Sequence, residues 1–206
     1  MKNRLSCIAA SLYILAASNV NAASSVDLSV TGTITPSACT PVLSNGGVID
    51  HGKISIKDIT SKPLPAMTLQ LGVNCDAATF FAIQGTDNRE DSASNNSPDS
   101  FGLGLGENNH KLGFYRLFME LAMADGVLHP IVESVDGSTW FPVSSGQIWQ
   151  PRWLRSVNTP GSPDHAPVAV KEFLADVTVQ TTLNKPRVLT TETSLDGSAT
   201  LDIVYL

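Results

Sequence analysis

The sequence predicts an all-β sandwich. Runs of alternating apolar and polar residues recur along the 206-residue chain, at the roughly 8–12-residue spacing typical of such folds. Clusters of glycine, proline, asparagine and aspartate separate the runs, and no long amphipathic helix interrupts them. The last run shows the pattern best. Ala199, Leu201, Ile203 and Tyr205 fall on one face of a strand and Thr200 and Asp202 on the other. Chain ends usually fray, so a hydrophobic strand here is expected either to close the sandwich or to leave an edge open to a partner.

The other elements follow in order. Residues 26–34 alternate for nine positions, with Gly32 as a kink or close-approach point. Residues 67–73 form a second alternating strand that delivers Cys75, and residues 80–84 another. Residues 87–100 read as a polar loop with nothing to bury. Helix and strand compete over residues 112–123; Gly113 near the start and Asp125-Gly126 after the end decide for a strand entering a hairpin turn. Residues 131–134 run into the turn signal Asp136-Gly137, and residues 156–167 form a second long loop. Residues 173–183 alternate around Val177, Val179 and Thr181, and Pro186 and Asp196-Gly197 frame the final strands.

The first 22 residues read as a secretory signal peptide: Lys2 and Arg4, a short apolar run, and the small-residue site Val20-Asn21-Ala22. The run is too short for a membrane span, and no other segment is long enough. The expected mature chain, residues 23–206, is one soluble domain, exported to the periplasm and then the cell surface. Its formal charge moves from −6 to −8 once Lys2 and Arg4 are removed, which argues against nucleic acid and against anionic membranes. Cys7 is discarded with the signal. Cys39 and Cys75 remain, and two exported cysteines are expected to pair. The loop so closed, about 36 residues, corresponds to about 4 kcal/mol of chain-entropy stabilisation.

No catalytic chemistry stands out, and the chain is not expected to be an enzyme. His51, His110, His129 and His165 are scattered without metal-ligand spacing and read as solvated loop residues. Asp164-His165 lacks a Gly-x-Ser-x-Gly elbow. Gly102-Leu-Gly-Leu-Gly106 lacks the strand–loop–helix setting and the lysine that a phosphate loop needs. No metal and no cofactor are therefore assigned. Trp140, Trp149 and Trp153 fall within fourteen residues. They have two readings, packing anchors or a stacking surface for a glycan.

Three segments carry a family resemblance. Leu28-Ser-Val-Thr-Gly-Thr-Ile-Thr-Pro-Ser-Ala-Cys39 resembles the opening of a pilin. Leu69-Gln-Leu-Gly-Val-Asn-Cys75 resembles the strand that bears a pilin's second cysteine. Ala199-Thr-Leu-Asp-Ile-Val-Tyr-Leu206 resembles the pilin end with its penultimate tyrosine. In this order, behind a signal peptide, they resemble a subunit of a chaperone–usher fimbria. Lys111-Leu-Gly-Phe-Tyr115, Asp136-Gly-Ser-Thr-Trp140 and Asp196-Gly-Ser-Ala-Thr-Leu201 are more similar to a fimbria-related family of Proteobacteria of unknown function.

The resemblance implies an immunoglobulin-like, pilin-like sandwich that lacks its last strand and is completed by strand addition from outside. Leu201, Ile203 and Tyr205 would line the groove. Val26, Leu28 and Val30 would be donor side chains, with Gly32 allowing a close backbone approach. The implied partners are a periplasmic pilus chaperone, an usher and neighbouring fimbrial subunits, with a role in adhesion. The alternative is a self-contained periplasmic sandwich that binds a glycan or protein ligand through Trp140, Trp149 and Trp153. Only residues 23–31 separate the expected cleavage site from Gly32, so the segment is open to two pairings, within its own chain or with a neighbour.

Overall fold

The computed structural model describes residue 29, residues 38–187 and residues 190–206. The chain divides into two compact units, Met1–Ile34 and Thr35–Leu206, and the second contains every described strand. The expected signal peptide and the alternating segment with Val26, Leu28, Val30 and Gly32 lie outside the described residues.

Twelve strands are described: β1 (Cys39–Leu43), β2 (Met67–Thr79), β3 (Phe81–Asp87), β4 (Phe101–Gly102), β5 (Gly113–Ala124), β6 (Val127–Leu128), β7 (Ile131–Ser134), β8 (Phe141–Pro142), β9 (Ile148–Trp149), β10 (Leu154–Val157), β11 (Val170–Leu183) and β12 (Ala199–Tyr205). Their helical companions are two 3-10 turns, Ser44–Gly47 and Glu107–Asn109. One sheet has the order β1-β2-β11-β5-β4, with β6 and β9 also paired to β5; the other has the order β12-β3-β10-β7-β8. Every pairing between named strands is antiparallel. This is the expected all-β sandwich, and Cys39 and Cys75 form its disulfide as directly opposed residues of β1 and β2.

Period-2 alternation accounts for the core. In β11, Phe173, Ala175, Val177, Val179, Thr181 and Leu183 are buried, and in β2 Leu69, Leu71, Val73 and Cys75 are. They face Phe81 and Ile83 of the second sheet across a single cluster. The contested 112–123 segment is a strand. Ala124 pairs with Val127 around the two-residue turn Asp125-Gly126, whose φ angles of 49° and 80° are those a tight hairpin demands.

Two expectations need correction. The loop 87–100 does bury residues: Ser92, Ala93 and Ser100 lie inside. Ser92 Oγ donates to the Arg89 carbonyl at 2.7 Å and accepts from Gly104 N at 3.0 Å, and Ala93 bridges to Gly113. Its polar side chains serve the backbone as partners, which composition does not reveal. Gly102 makes room, since a Cβ there would stand 2.0 Å from Ser92 Oγ. The strand expected from residue 80 starts at Phe81, and Phe80 is exposed.

Candidate docking groove beside the C-terminal strand

β12 is the edge of its sheet. It pairs in full register with β3, from Ala199↔Asp87 to Tyr205↔Phe81, and among the described residues no strand lies on its other side. Leu201 and Ile203 are half-buried against the core, while Thr200 and Asp202 face solvent. β1, at the edge of the other sheet, is likewise unpartnered on its outer side among the described residues. The two edges meet at one point, where Cys39 N–H donates to the Tyr205 hydroxyl at 2.9 Å.

Between the sheets on this side runs a groove of about 810 Å³. Its floor is the inner face of the first sheet, with Val177, Val179 and Thr181 from β11 and Tyr115 and Leu117 from β5. Ala199 and Leu201 form one wall. The other wall is the segment after the first 3-10 turn, which contributes Ile49, His51, Ile54 and Ile59. This wall is held down by Leu64 N–H donating to the Thr181 carbonyl at 2.8 Å and by His51 Nε2 at 2.9 Å from Thr181 Oγ1. An exposed ion pair, Lys53 with Glu192 at 3.2 Å, crosses the mouth. Burial holds the His51 imidazole below its ordinary pKa, against the opposing pull of Asp50.

Of the residues expected to line the groove, Leu201 does so. Ile203 packs on the core beside it, and Tyr205 is 40% exposed with its hydroxyl engaged by β1. The opposite wall has no clear signature in the sequence. Its isoleucines, Ile49, Ile54, Ile56 and Ile59, stand five, two and three residues apart and follow neither period, and their apolarity is the only signal.

The three tryptophans separate by role. Trp149 is 0% exposed, inside the core, and its indole N–H donates to the Trp153 carbonyl at 2.9 Å. Its ring takes the packing role, and no face of it is free to stack on a sugar. Trp140 and Trp153 are half-buried. Trp140 Nε1 donates to the Gly137 carbonyl at 3.3 Å.

Against Trp149 lies a buried ion pair invisible in the sequence. The Arg155 guanidinium, 5.7 Å from the ring centroid, is 0% exposed, and Glu133, 3.4 Å away, is 4% exposed. Arg155 Nη2 also donates to the Gln147 carbonyl at 3.0 Å, and Gln147 Nε2 donates to Glu133. Burial raises the Glu133 pKa and lowers that of Arg155 to about 10, in each case outweighing the partner's charge.

Three of the four histidines are structural rather than merely solvated. Besides His51, His110 Nε2 donates to the Asn184 carbonyl and His129 Nδ1 to that of Asn158. Among the described residues, no group of three or more His, Cys, Asp or Glu is placed to hold a metal ion. No helix among them is long and apolar enough to cross a membrane.

Comparison with known proteins finds distant relatives. Residues 28–101 match a family described as "Protein of unknown function (DUF1120)". That stretch contains two of the three resemblance segments, including both paired cysteines, and stops short of β12. The chain is 24% identical over 246 residues to "Uncharacterized protein YhcF" of Escherichia coli K12, with all of both chains covered. It is also 24% identical over 229 residues to "Protein GltF" of the same organism, covering 87% of this chain and 88% of that one. The chain is thus a distant relative of these two proteins.

Proposed function

We propose that this protein is a non-catalytic fimbrial or fimbria-like subunit, exported to the periplasm and assembled at the bacterial surface by β-strand addition. The observation that carries the reading is the edge of β12, unpartnered among the described residues, beside an apolar groove. The outer N–H and C=O groups of β12, unpaired among the described residues, offer main-chain affinity to an incoming strand. The pockets below offer side-chain selectivity. A periplasmic chaperone supplies that strand first and a neighbouring subunit's N-terminal segment, with Val26, Leu28 and Val30 as inserted side chains, replaces it.

The test is to express the full chain in a periplasm with and without a pilus chaperone. A one-to-one complex with the chaperone, lost on Leu201→Asp, which places a charge against the apolar floor, is the expected result. A stable monomer that neither binds chaperone nor polymerises overturns the proposal.

A further inference from the structure

We infer that the outer face of the first sheet, turned away from the groove, is a docking surface for a partner protein that presents a basic amphipathic helix. The inference does not rest on strand addition, since it uses the opposite face of β2, β11 and β5.

The strand registers align one row of residues across five strands. Val42 of β1 is opposite Gly72 of β2, Gly72 is opposite Leu174 of β11, Leu174 is opposite Met123 of β5, and Met123 is opposite Leu128 of β6. Directly opposed residues share a face. Here it is the outer one, because the neighbours Leu71, Val73, Phe173, Ala175, Ala122 and Ala124 are buried. Every side chain of the row is apolar and, among the described residues, exposed, from 41% at Met123 to 58% at Leu128. Strands about 4.8 Å apart make the row about 19 Å long.

The outer face of an antiparallel sheet is ordinarily polar. Farther along this sheet it is, with the hydroxyls of Thr68 and Thr178 bonded to each other at 2.9 Å. A contiguous apolar strip on such a face marks an interaction site. The backbone extends it. At the bulge between the Leu174 and Asp176 pairings, Leu121 adopts φ 51°, rare for a leucine, and its side chain is 65% exposed.

The margins of the row show what fits it. Asp176 and Glu120, opposite each other, stand on one side, and Glu172 stands on the other with Asp125 bonded to its backbone N–H. Ser145 Oγ and Gly146 N donate to the Glu120 carboxylate and hold it in place. Among the described residues none of these four carboxylates forms an ion pair. Even with Lys171 beside Glu172, the margins are net negative. A narrow apolar stripe between acidic margins is the complement of a helix with leucines at i, i+3, i+4 and i+7 and lysines or arginines on both sides. About 13 residues of helix cover 19 Å. Gly72 leaves a notch for one side chain, since a Cβ there would find Leu174 Cδ1 no closer than 4.0 Å. A second copy of this face is a poor occupant, because it sets carboxylate against carboxylate.

The probe is a synthetic helix of about 14 residues with one leucine stripe and lysine margins, and a twin with glutamate in place of lysine. Kd is read by fluorescence anisotropy on protein recovered from expression of the full chain, alone or in complex with a pilus chaperone. Wild type should bind the lysine helix, and the glutamate helix at least about tenfold more weakly. Leu174→Thr with Met123→Thr should weaken the lysine helix about tenfold. Glu172→Lys with Asp176→Lys should reverse the preference between the helices. Val135→Thr with Phe141→Thr, exposed apolar residues elsewhere, and Leu201→Asp, in the groove, should leave binding unchanged. Circular dichroism checks that each variant is folded, and Leu128→Thr, at the hairpin, replaces the Leu174/Met123 pair if that pair is not. No binding, equal binding of both helices, or equal loss in the Val135/Phe141 variant overturns the inference. Loss in Leu201→Asp alone places the helix in the groove and overturns it too. Self-association abolished by Leu174→Thr puts a second copy on the row and overturns the assigned partner.

Discussion

Replacing Trp149 with alanine separates the packing role of this residue from a ligand-binding one. The ring is fully buried, pairs its N–H with the Trp153 carbonyl and lies under the Arg155 guanidinium. A tryptophan buries about 150–250 Å², so at roughly 25 cal/mol per Å² its burial contributes about 4–6 kcal/mol. Alanine retains a small part of that, and measured Trp→Ala losses in cores are about 3–5 kcal/mol. The orphaned Trp153 carbonyl adds about 1 kcal/mol. A loss near 4 kcal/mol is a large share of the roughly 5–15 kcal/mol that holds a domain together. Urea unfolding followed by circular dichroism measures it, with Trp149→Phe expected to lose about half as much and Trp140→Ala, half-buried, under about 1.5 kcal/mol. An unchanged Trp149→Ala midpoint refutes the packing argument. If that variant also lost a measurable glycan affinity, the ligand-surface reading would replace it.

Three further outcomes are expected. Cys39→Ala with Cys75→Ala removes the cross-link closing the 36-residue separation and should lower stability by about 4 kcal/mol; equal unfolding midpoints with and without reductant would contradict this. Glu133→Gln strips a buried guanidinium of its counter-charge and should cost about 3–5 kcal/mol, whereas Glu133→Leu with Arg155→Leu should be near neutral or stabilising. Equal losses in the single and double variants would show that the pair is not coupled. His51 has a folded pKa below its ordinary value of 6.5. The unfolded chain thus binds its proton first, and stability should fall as pH drops through 6.5 toward the folded value. His51→Gln should flatten that part of the pH profile, and an unaltered slope would exclude His51 as its source.

The alternation of β2, β11 and β12 was legible because each has one buried and one solvated face, so period 2 survives in the residue types. The hairpin at Asp125-Gly126 was legible because a left-handed pair leaves few alternatives to those residues. What stayed hidden depends on register. Arg155 and Glu133 are 22 residues apart, and only the pairing of β10 with β7 sets them opposite each other. The loop 87–100 looked empty because its burial is achieved by backbone hydrogen bonds to Ser92 and by the missing side chain of Gly102. Within the candidate site, one wall was readable in the alternation of Ala199 and Leu201. The His51 wall was not, since an irregular segment draped over a sheet has no period to betray it.

The meeting of Cys39 with Tyr205 has a mechanical consequence. Tension on the backbone ahead of Ala38 enters the sandwich at Cys39, beside the end of β12. β1 offers only five ladder pairs against peeling, one of them at Pro41, which has no N–H to give. The disulfide carries the load sideways into β2 at Cys75, and β2 is zipped on its far side to β11 through nine opposed pairs, from Val170↔Thr79 to Val179↔Met67. A pull at this corner is therefore borne by a covalent link anchored inside the sheet, and the edge strands at the mouth of the groove keep their spacing under traction.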